Sequence, residues 1–282
     1  MTTAQHVWYC GPFHFDQRRP LLMGILNTTP DSFSDGGRYT ETQDALCHAH
    51  TLLEQGADII DIGGESTRPG SEELPPDLEL ARVLNVVGPL AREGVCVSID
   101  SHHAEVVEAC LAEGAAIIND ITGFTNPAME RLAALSRAGC VVMHMRGEPQ
   151  TMQENPQYDE VVAEVGEFLL AQAQLLTNAG VERERICLDP GPGFGKNFEQ
   201  NLELLQSTAR LANLGSPPYL LMAAWSRKNF IGEITGEAIP EKRVAGSVAA
   251  AVFAASQGAG VLRVHDVGST VAALKVWEAL YE

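Results

Sequence analysis

The stretch TETQDALCHAHTLLEQGADIIDIGG, Thr40 to Gly64, decides the fold. Ala45, Leu46, Ala49, Leu52 and Leu53 recur at helical spacing and form one apolar stripe, and Thr40 with Gln43 is placed to act as a capping box at its start. Gly56 stops the helix, because glycine adopts the left-handed terminal conformation without steric cost. DIIDIGG follows as a short apolar run that reads as a strand. Helix, glycine and strand together make one unit.

That unit repeats along the chain. Gly94, Gly114, Gly139, Gly180, Gly215 and Gly258 also end helix-like segments, and VCVSID, AAIIND, CVVMHMR, RICLDP, YLLMAA and GVLRVHD follow them. Leu80, Val83, Leu84 and Val87 repeat the helical stripe in the second unit. With LLMGILN (Leu21–Asn27) at the start, eight strands alternate with helices over about 260 residues, the usual size of a closed (β/α)8 barrel. An open doubly wound sheet has the same alternation, so strand counting favours the barrel without excluding its rival. No linker or composition shift divides the chain. Residues 20–282 read as one α/β barrel domain and residues 1–19 as an N-terminal hairpin extension, turning at Gly11-Pro12 and placed to cap the barrel's bottom.

The 282 residues are 45% hydrophobic and 20% charged, a globular composition. Lys and Arg number 19 against 37 Asp and Glu, a net charge of −18, so neither nucleic acid nor an anionic membrane surface is an expected partner. The longest apolar stretch, Val248–Ala255, is far short of the ~20 residues that span a bilayer. The first ten residues lack the pattern of a signal peptide. Six scattered cysteines without a CxxC pair indicate neither a disulfide framework nor a zinc knuckle. A cytoplasmic protein is expected.

In a barrel the chemistry belongs at the C-terminal strand ends. Those ends carry Asn27, Asp61, Asp100, Asn119, His144, Asp189 and the pair Arg263 and His265, with Ser226, Arg227 and Lys228 after the seventh strand. Alternation sets Asp100 on one face with Ser98 and Cys96, and points Arg263 and His265 the same way. Asp100 and Asn119 should stand side by side on neighbouring strands, and closure of the barrel should bring Arg263 and His265 near Asn27. Singly, each residue has a plainer reading. A strand-end Asp usually caps a helix, Asp61 serves the Gly63-Gly64 turn, His144 is a core histidine, and His48, His50, His102 and His103 carry no role. Six or seven polar ends converging in one barrel require a site.

Two long loops, TTPDSFSDGG after the first strand and ESTRPGSEELPP after the second, suit a mobile lid. DPGPGFGK (Asp189–Lys196) is glycine-rich but has neither P-loop nor dinucleotide spacing. Arg68, Arg227, Lys228 and Arg263 gather on these loops in a very acidic chain and point to an anionic substrate, while Asp100 and Asp189 suit the donor groups of a polar heterocycle.

Together GILNTTPDSFSDGG, DIIDIGGESTRPG, VSIDS, AAIINDITG, VVMHMRG, LDPGPGFGK, WSRKNFIG and RVHDV, in this order, resemble the dihydropteroate synthase family, the targets of sulfonamide drugs. The resemblance covers nearly the whole chain from Leu21. It implies a barrel transferase of folate biosynthesis, usually a homodimer, that joins 6-hydroxymethyl-7,8-dihydropterin diphosphate to 4-aminobenzoate with Mg²⁺ required. By the same resemblance Asp189, Asn119, Asp100 and Lys228 would bind the pterin, and Thr67, Arg263 and His265 the diphosphate. Asn27 would supply an oxygen to Mg²⁺. Phe33, Pro69, Phe194, Ser226 and Lys228 would shape the aminobenzoate pocket, with Asp100, Lys228 and Arg263 taking the catalytic roles. Asn229, Pro192 and Trp225 depart from the family pattern, which bears on aminobenzoate and inhibitor affinity.

Three alternatives differ in what they need. A silent pterin-binding paralogue would keep the site without turnover. A pterin-dependent methyltransferase domain would leave Arg263 and His265 without purpose. A metal hydrolase would need a His-x-His on the first strand, which LLMGILN lacks. The helix Val244–Ser256, apolar nearly all round, is expected to pack one face on a partner subunit.

Overall fold

The computed structural model describes residues 7–28, 38–65 and 74–280. A two-stranded antiparallel hairpin, β1 (Val7–Cys10) and β2 (Phe13–Asp16), precedes eight parallel strands: β3 (Leu21–Asn27), β4 (Ile59–Gly63), β5 (Val97–Asp100), β6 (Ile117–Asp120), β7 (Gly139–Met143), β8 (Ile186–Asp189), β9 (Leu220–Ala223) and β10 (Val261–Val264). These eight pair in sequence and β10 closes on β3, so the open-sheet rival is excluded. The helices are α1 (Arg38–Glu54), α2 (Pro76–Arg92), α3 (Ala104–Ala112), α4 (Pro127–Leu135), α5 (Val161–Asn178), α6 (Phe198–Gln206), α7 (Thr208–Leu211), α8 (Asn229–Thr235), α9 (Val244–Ser256) and α10 (Val267–Ala279).

Alternation along each strand sorts the side chains into two clusters. Leu22, Ile60, Ile62, Val97, Ile99, Ile118 and Leu188 face outward and join the core beneath the helices. Met23, Ile59, Cys96, Ile117, Val141, Cys187, Met222 and Val261 face inward and fill the lower barrel. The hairpin plugs that lower end, as expected. Trp8 is 1% exposed, belongs to the inner cluster and donates from Nε1 to the Arg185 carbonyl at 3.0 Å. Truncating a buried aromatic of this size costs about 3–5 kcal/mol.

Two local expectations are corrected. α1 begins at Arg38, so Thr40 lies inside the helix instead of capping it. Gly139 does not end a helix: α4 stops at Leu135, and Gly139 is the first residue of β7. A glycine stands there because a Cβ would lie 2.6 Å from Cys10 Sγ of the plug. Gly56, Gly94, Gly114, Gly180 and Gly258 do carry the positive φ of helix-ending glycines.

Candidate active site

On the inward face of five strands, an apolar residue of the inner cluster is followed two positions later by a polar one. Ile59 precedes Asp61, Ile117 precedes Asn119, Cys187 precedes Asp189, and Val261 precedes Arg263. On β5, Cys96 is followed by Ser98 and then Asp100. Above the apolar inner cluster, the barrel mouth is therefore built of carboxylates, an amide and a guanidinium. Asp100 and Asn119 are register partners, side by side as expected. Asp100, Asn119, Asp189, Phe194, Lys228 and Arg263 line one cleft, joined by Ile121, Met143, Pro192 and Ala224.

Arg263 organises the cleft. Its Nε donates to Asp61 Oδ2 at 2.6 Å and its Nη2 to Asp100 Oδ2 at 2.5 Å. Asn119 Nδ2 donates to both oxygens of Asp61, at 3.3 and 3.2 Å. Asp61 thus corrects the sequence reading. It is fully buried and ties β4 to β6 and β10, instead of serving the turn at Gly63-Gly64. The signal was present: an acid in mid-strand, two positions from an inward isoleucine, cannot stay buried without a cationic or donor partner.

Burial pushes the Asp100 carboxyl up, and Asp61 and Glu79 push the same way against the pull of Arg263. Its Oδ1 is buried without a hydrogen-bond partner among the described residues. Burial likewise raises Asp189, opposed by the Gly191 amide, which donates to Oδ1 at 2.8 Å. Burial lowers Lys228 to about 8, with Arg263 adding to the effect and Asp189 and Asp100 resisting it. Its Nζ lies 4.5 Å from the centre of the Phe194 ring, within cation–π range. Burial also works against the Arg263 charge, but Asp61 and Asp100 outweigh it and hold the guanidinium protonated.

The glycine-rich segment after β8 is shaped by a residue to which the sequence reading gave no role. Lys196 is buried, and its Nζ donates to the carbonyls of Gly191 and Phe194, both at 2.9 Å, and lies 3.0 Å from His144 Nδ1. Gly191 has φ +63, and a Cβ on it would collide with the His144 carbonyl. His144 is the core histidine expected: buried, edge-on to Phe168 at 5.0 Å, and lowered by burial to about 2.

Ser226 and His265 pair with each other beside the cleft. Oγ to Nδ1 is 3.0 Å, and the His265 amide donates to Oγ at 3.2 Å. Arg227, counted among the anion-facing cations, is instead bound to Asp266 at 3.1 and 2.8 Å. Asn27 ends β3, pairing in register with Gly63, which in turn pairs with Asp100. Of the three departures, Pro192 lines the cleft. Trp225 packs outward on Phe230, and Asn229 Oδ1 accepts from Arg243 at 3.1 Å. Phe33, Thr67, Pro69 and Arg68 lie outside the described residues.

A closed parallel barrel whose mouth gathers three carboxylates, an amide and two cations above an apolar inner cluster is an enzyme scaffold for a polar, partly anionic small molecule. Residues 23–265 match the model of the pterin-binding enzymes. A dihydropteroate synthase of Neisseria meningitidis serogroup B is 48% identical, with 98% of each chain covered. The structure of Xanthomonas albilineans dihydropteroate synthase with 4-aminobenzoic acid superposes with a TM-score of 0.92 at 44% identity, covering 99% of both chains. Burkholderia cenocepacia dihydropteroate synthase complexed with 7,8-dihydropteroate gives 0.89 at 45%, covering 98% of this chain and 96% of that one. The chain belongs to the pterin-binding enzyme family, within its dihydropteroate synthases.

Proposed function

We propose the following division of labour in the cleft. The enzyme condenses 6-hydroxymethyl-7,8-dihydropterin diphosphate with 4-aminobenzoate, giving 7,8-dihydropteroate and pyrophosphate. The observation that carries the residue assignment is the convergence of Asp189, Asn119, Asp100, Lys228 and Arg263 on one cleft. A carboxylate is acceptor-only when ionised, so Asp189 takes the 2-amino and N3–H edge of the pterin. Asn119 and Asp100 read the remaining ring edge, and Lys228 donates to its acceptor side. Phe194 and Ser226, with Phe33 and Pro69 from the loops, flank the aminobenzoate.

The substitution is dissociative: the C–O bond to the diphosphate breaks first, and the aromatic amine then attacks the pterin methylene cation. Arg263, with His265 and Thr67, receives the departing charge, and Asp100 faces the transient cation. No nucleophilic side chain is needed. Asn27 Oδ1 and Asp100 Oδ2 flank Gly63, each 3.7 Å from where a Cβ on it would stand, and an amide oxygen beside a carboxylate fits a hard cation, so Asn27 would hold Mg²⁺. Bound there, the ion would supply positive charge against the leaving diphosphate.

The outer face of α9 exposes Ala245, Ala249 and Phe253 at successive turns, which supports a homodimer built on that stripe. No helix among the described residues is long and apolar enough to cross a membrane, which agrees with a cytoplasmic folate enzyme. The test is to mix the protein with both substrates and Mg²⁺ and follow pyrophosphate and dihydropteroate together. Both products should form and should vanish with chelator. Pterin binding without product would replace this reading with the silent paralogue.

A further inference from the structure

Beside the cleft, a second group of side chains comes together at the ends of two neighbouring strands. Glu65 opens the loop after β4, and His102 and His103 lie in the loop after β5, strands paired in register from Ile60↔Val97 to Gly63↔Asp100. One oxygen of Glu65 and one ring nitrogen of each histidine all lie within 4.8 Å of one another. His102 Nδ1 is 3.8 Å from Glu65 Oε2, and the two imidazole centroids are 4.1 Å apart. The three side chains are 9%, 22% and 10% exposed, enclosed but still reachable from solvent.

We propose that Glu65, His102 and His103 bind a divalent transition-metal ion of the zinc class, at a site separate from the substrate cleft. Two imidazoles and a carboxylate are a borderline-soft donor set, which suits zinc and disfavours magnesium. Two ligands about 2.1 Å from a tetrahedral zinc stand roughly 3.4 Å apart, so the His102–Glu65 contact closes with a movement of a few tenths of an ångström.

The surroundings supply an independent reason. His103 Nδ1 lies 2.7 Å from Oε2 of Glu79, a fully buried carboxylate that also accepts from Ser101 Oγ at 3.1 Å. Metal-binding imidazoles are commonly oriented this way, with the second ring nitrogen held by a carboxylate. The other Glu79 oxygen is buried without a hydrogen-bond partner among the described residues, and Glu65 sets a second carboxylate against the same pair of imidazoles. A cation against Glu65 and the two histidines offsets that crowding of negative charge. Glu65 Oε1 also accepts from the Leu74 amide at 2.8 Å, joining the two ends of the segment between them. An ion on Glu65 therefore fastens both ends of that loop to β5.

Calorimetric titration with Zn²⁺, in excess Mg²⁺ and in a Cys47→Ser background that removes the exposed thiol, tests the proposal. One equivalent should bind, and His102→Gln and His103→Gln should each weaken it at least about tenfold. Zn²⁺ should raise the melting midpoint of the parent but not of His102→Gln, a partly exposed substitution that leaves the Glu79–His103 contact in place. Absence of Zn²⁺ binding by the parent, or undiminished binding by a folded His102→Gln, overturns the site.

Discussion

Asp61 and Arg263 are 202 residues apart in sequence and meet at 2.6 Å, oxygen to nitrogen, in the mouth of the barrel. Asp61 is fully buried, and Arg263 reaches past it to Asp100. Asp61→Asn leaves a buried guanidinium short of one counter-charge. Breaking such a pair from one side costs about 3–5 kcal/mol, and Asp100 remains to soften the loss here. Urea melts should show a destabilisation of roughly 2–4 kcal/mol. The apparent KM for the pterin substrate should rise as well, because Asp61 also holds Asn119.

Asp189→Ala removes the carboxylate facing the cleft. Two hydrogen bonds to a charged group contribute about 1.5–3 kcal/mol each, so pterin affinity should fall by at least about 100-fold. Direct binding of a pterin ligand measures this. Affinity equal to the parent's would remove Asp189 from the pterin site.

Lys228 is pushed down to about 8, and pH should reveal it twice. Below about 8 the lysine is charged in the folded and unfolded chains alike, and the folded state carries the full cost of a buried cation. As pH rises through about 8 the folded lysine loses its proton before the unfolded one does, so this cost fades toward pH 10.5. Lys228→Gln should therefore stabilise the ligand-free protein at pH 7 by about 1 kcal/mol, with the partial exposure of the residue taken into account. In the parent, kcat/KM for the pterin should fall above about pH 8, and Lys228→Arg should move that limb to higher pH.

Gly139→Ala sets a Cβ against Cys10 Sγ at 2.6 Å, where β7 meets the hairpin plug. Overpacking of this kind costs about 1–3 kcal/mol. The melting midpoint should drop by several degrees while KM for both substrates stays unchanged, since the plug lies at the opposite end of the barrel from the cleft. A combined Cys10→Ala, Gly139→Ala variant should recover much of the loss.

Sequence alone determined the alternation of helix and strand, the number of strands, the hairpin, and most of the polar strand ends. The reason is local: helical stripes, helix-stopping glycines and period-two strands are set by backbone sterics and burial over a few residues. His144 was legible as core for the same reason, as an isolated histidine in an apolar run. Closure of the barrel was settled by the pairing of β10 with β3, a contact between the two ends of the repeat that no local pattern encodes. Only tertiary structure could show that the partners of Asp61 are Arg263 and Asn119, that Arg227 is neutralised by Asp266, and that Gly139 is demanded by a cysteine from the hairpin. Each depends on which distant side chain fills the space opposite, and electrostatic partnership in a buried site follows three-dimensional distance, which sequence separation does not report. The grouping of Glu65, His102 and His103 came to light in the same way, from two loops brought to one height by the register of adjacent strands.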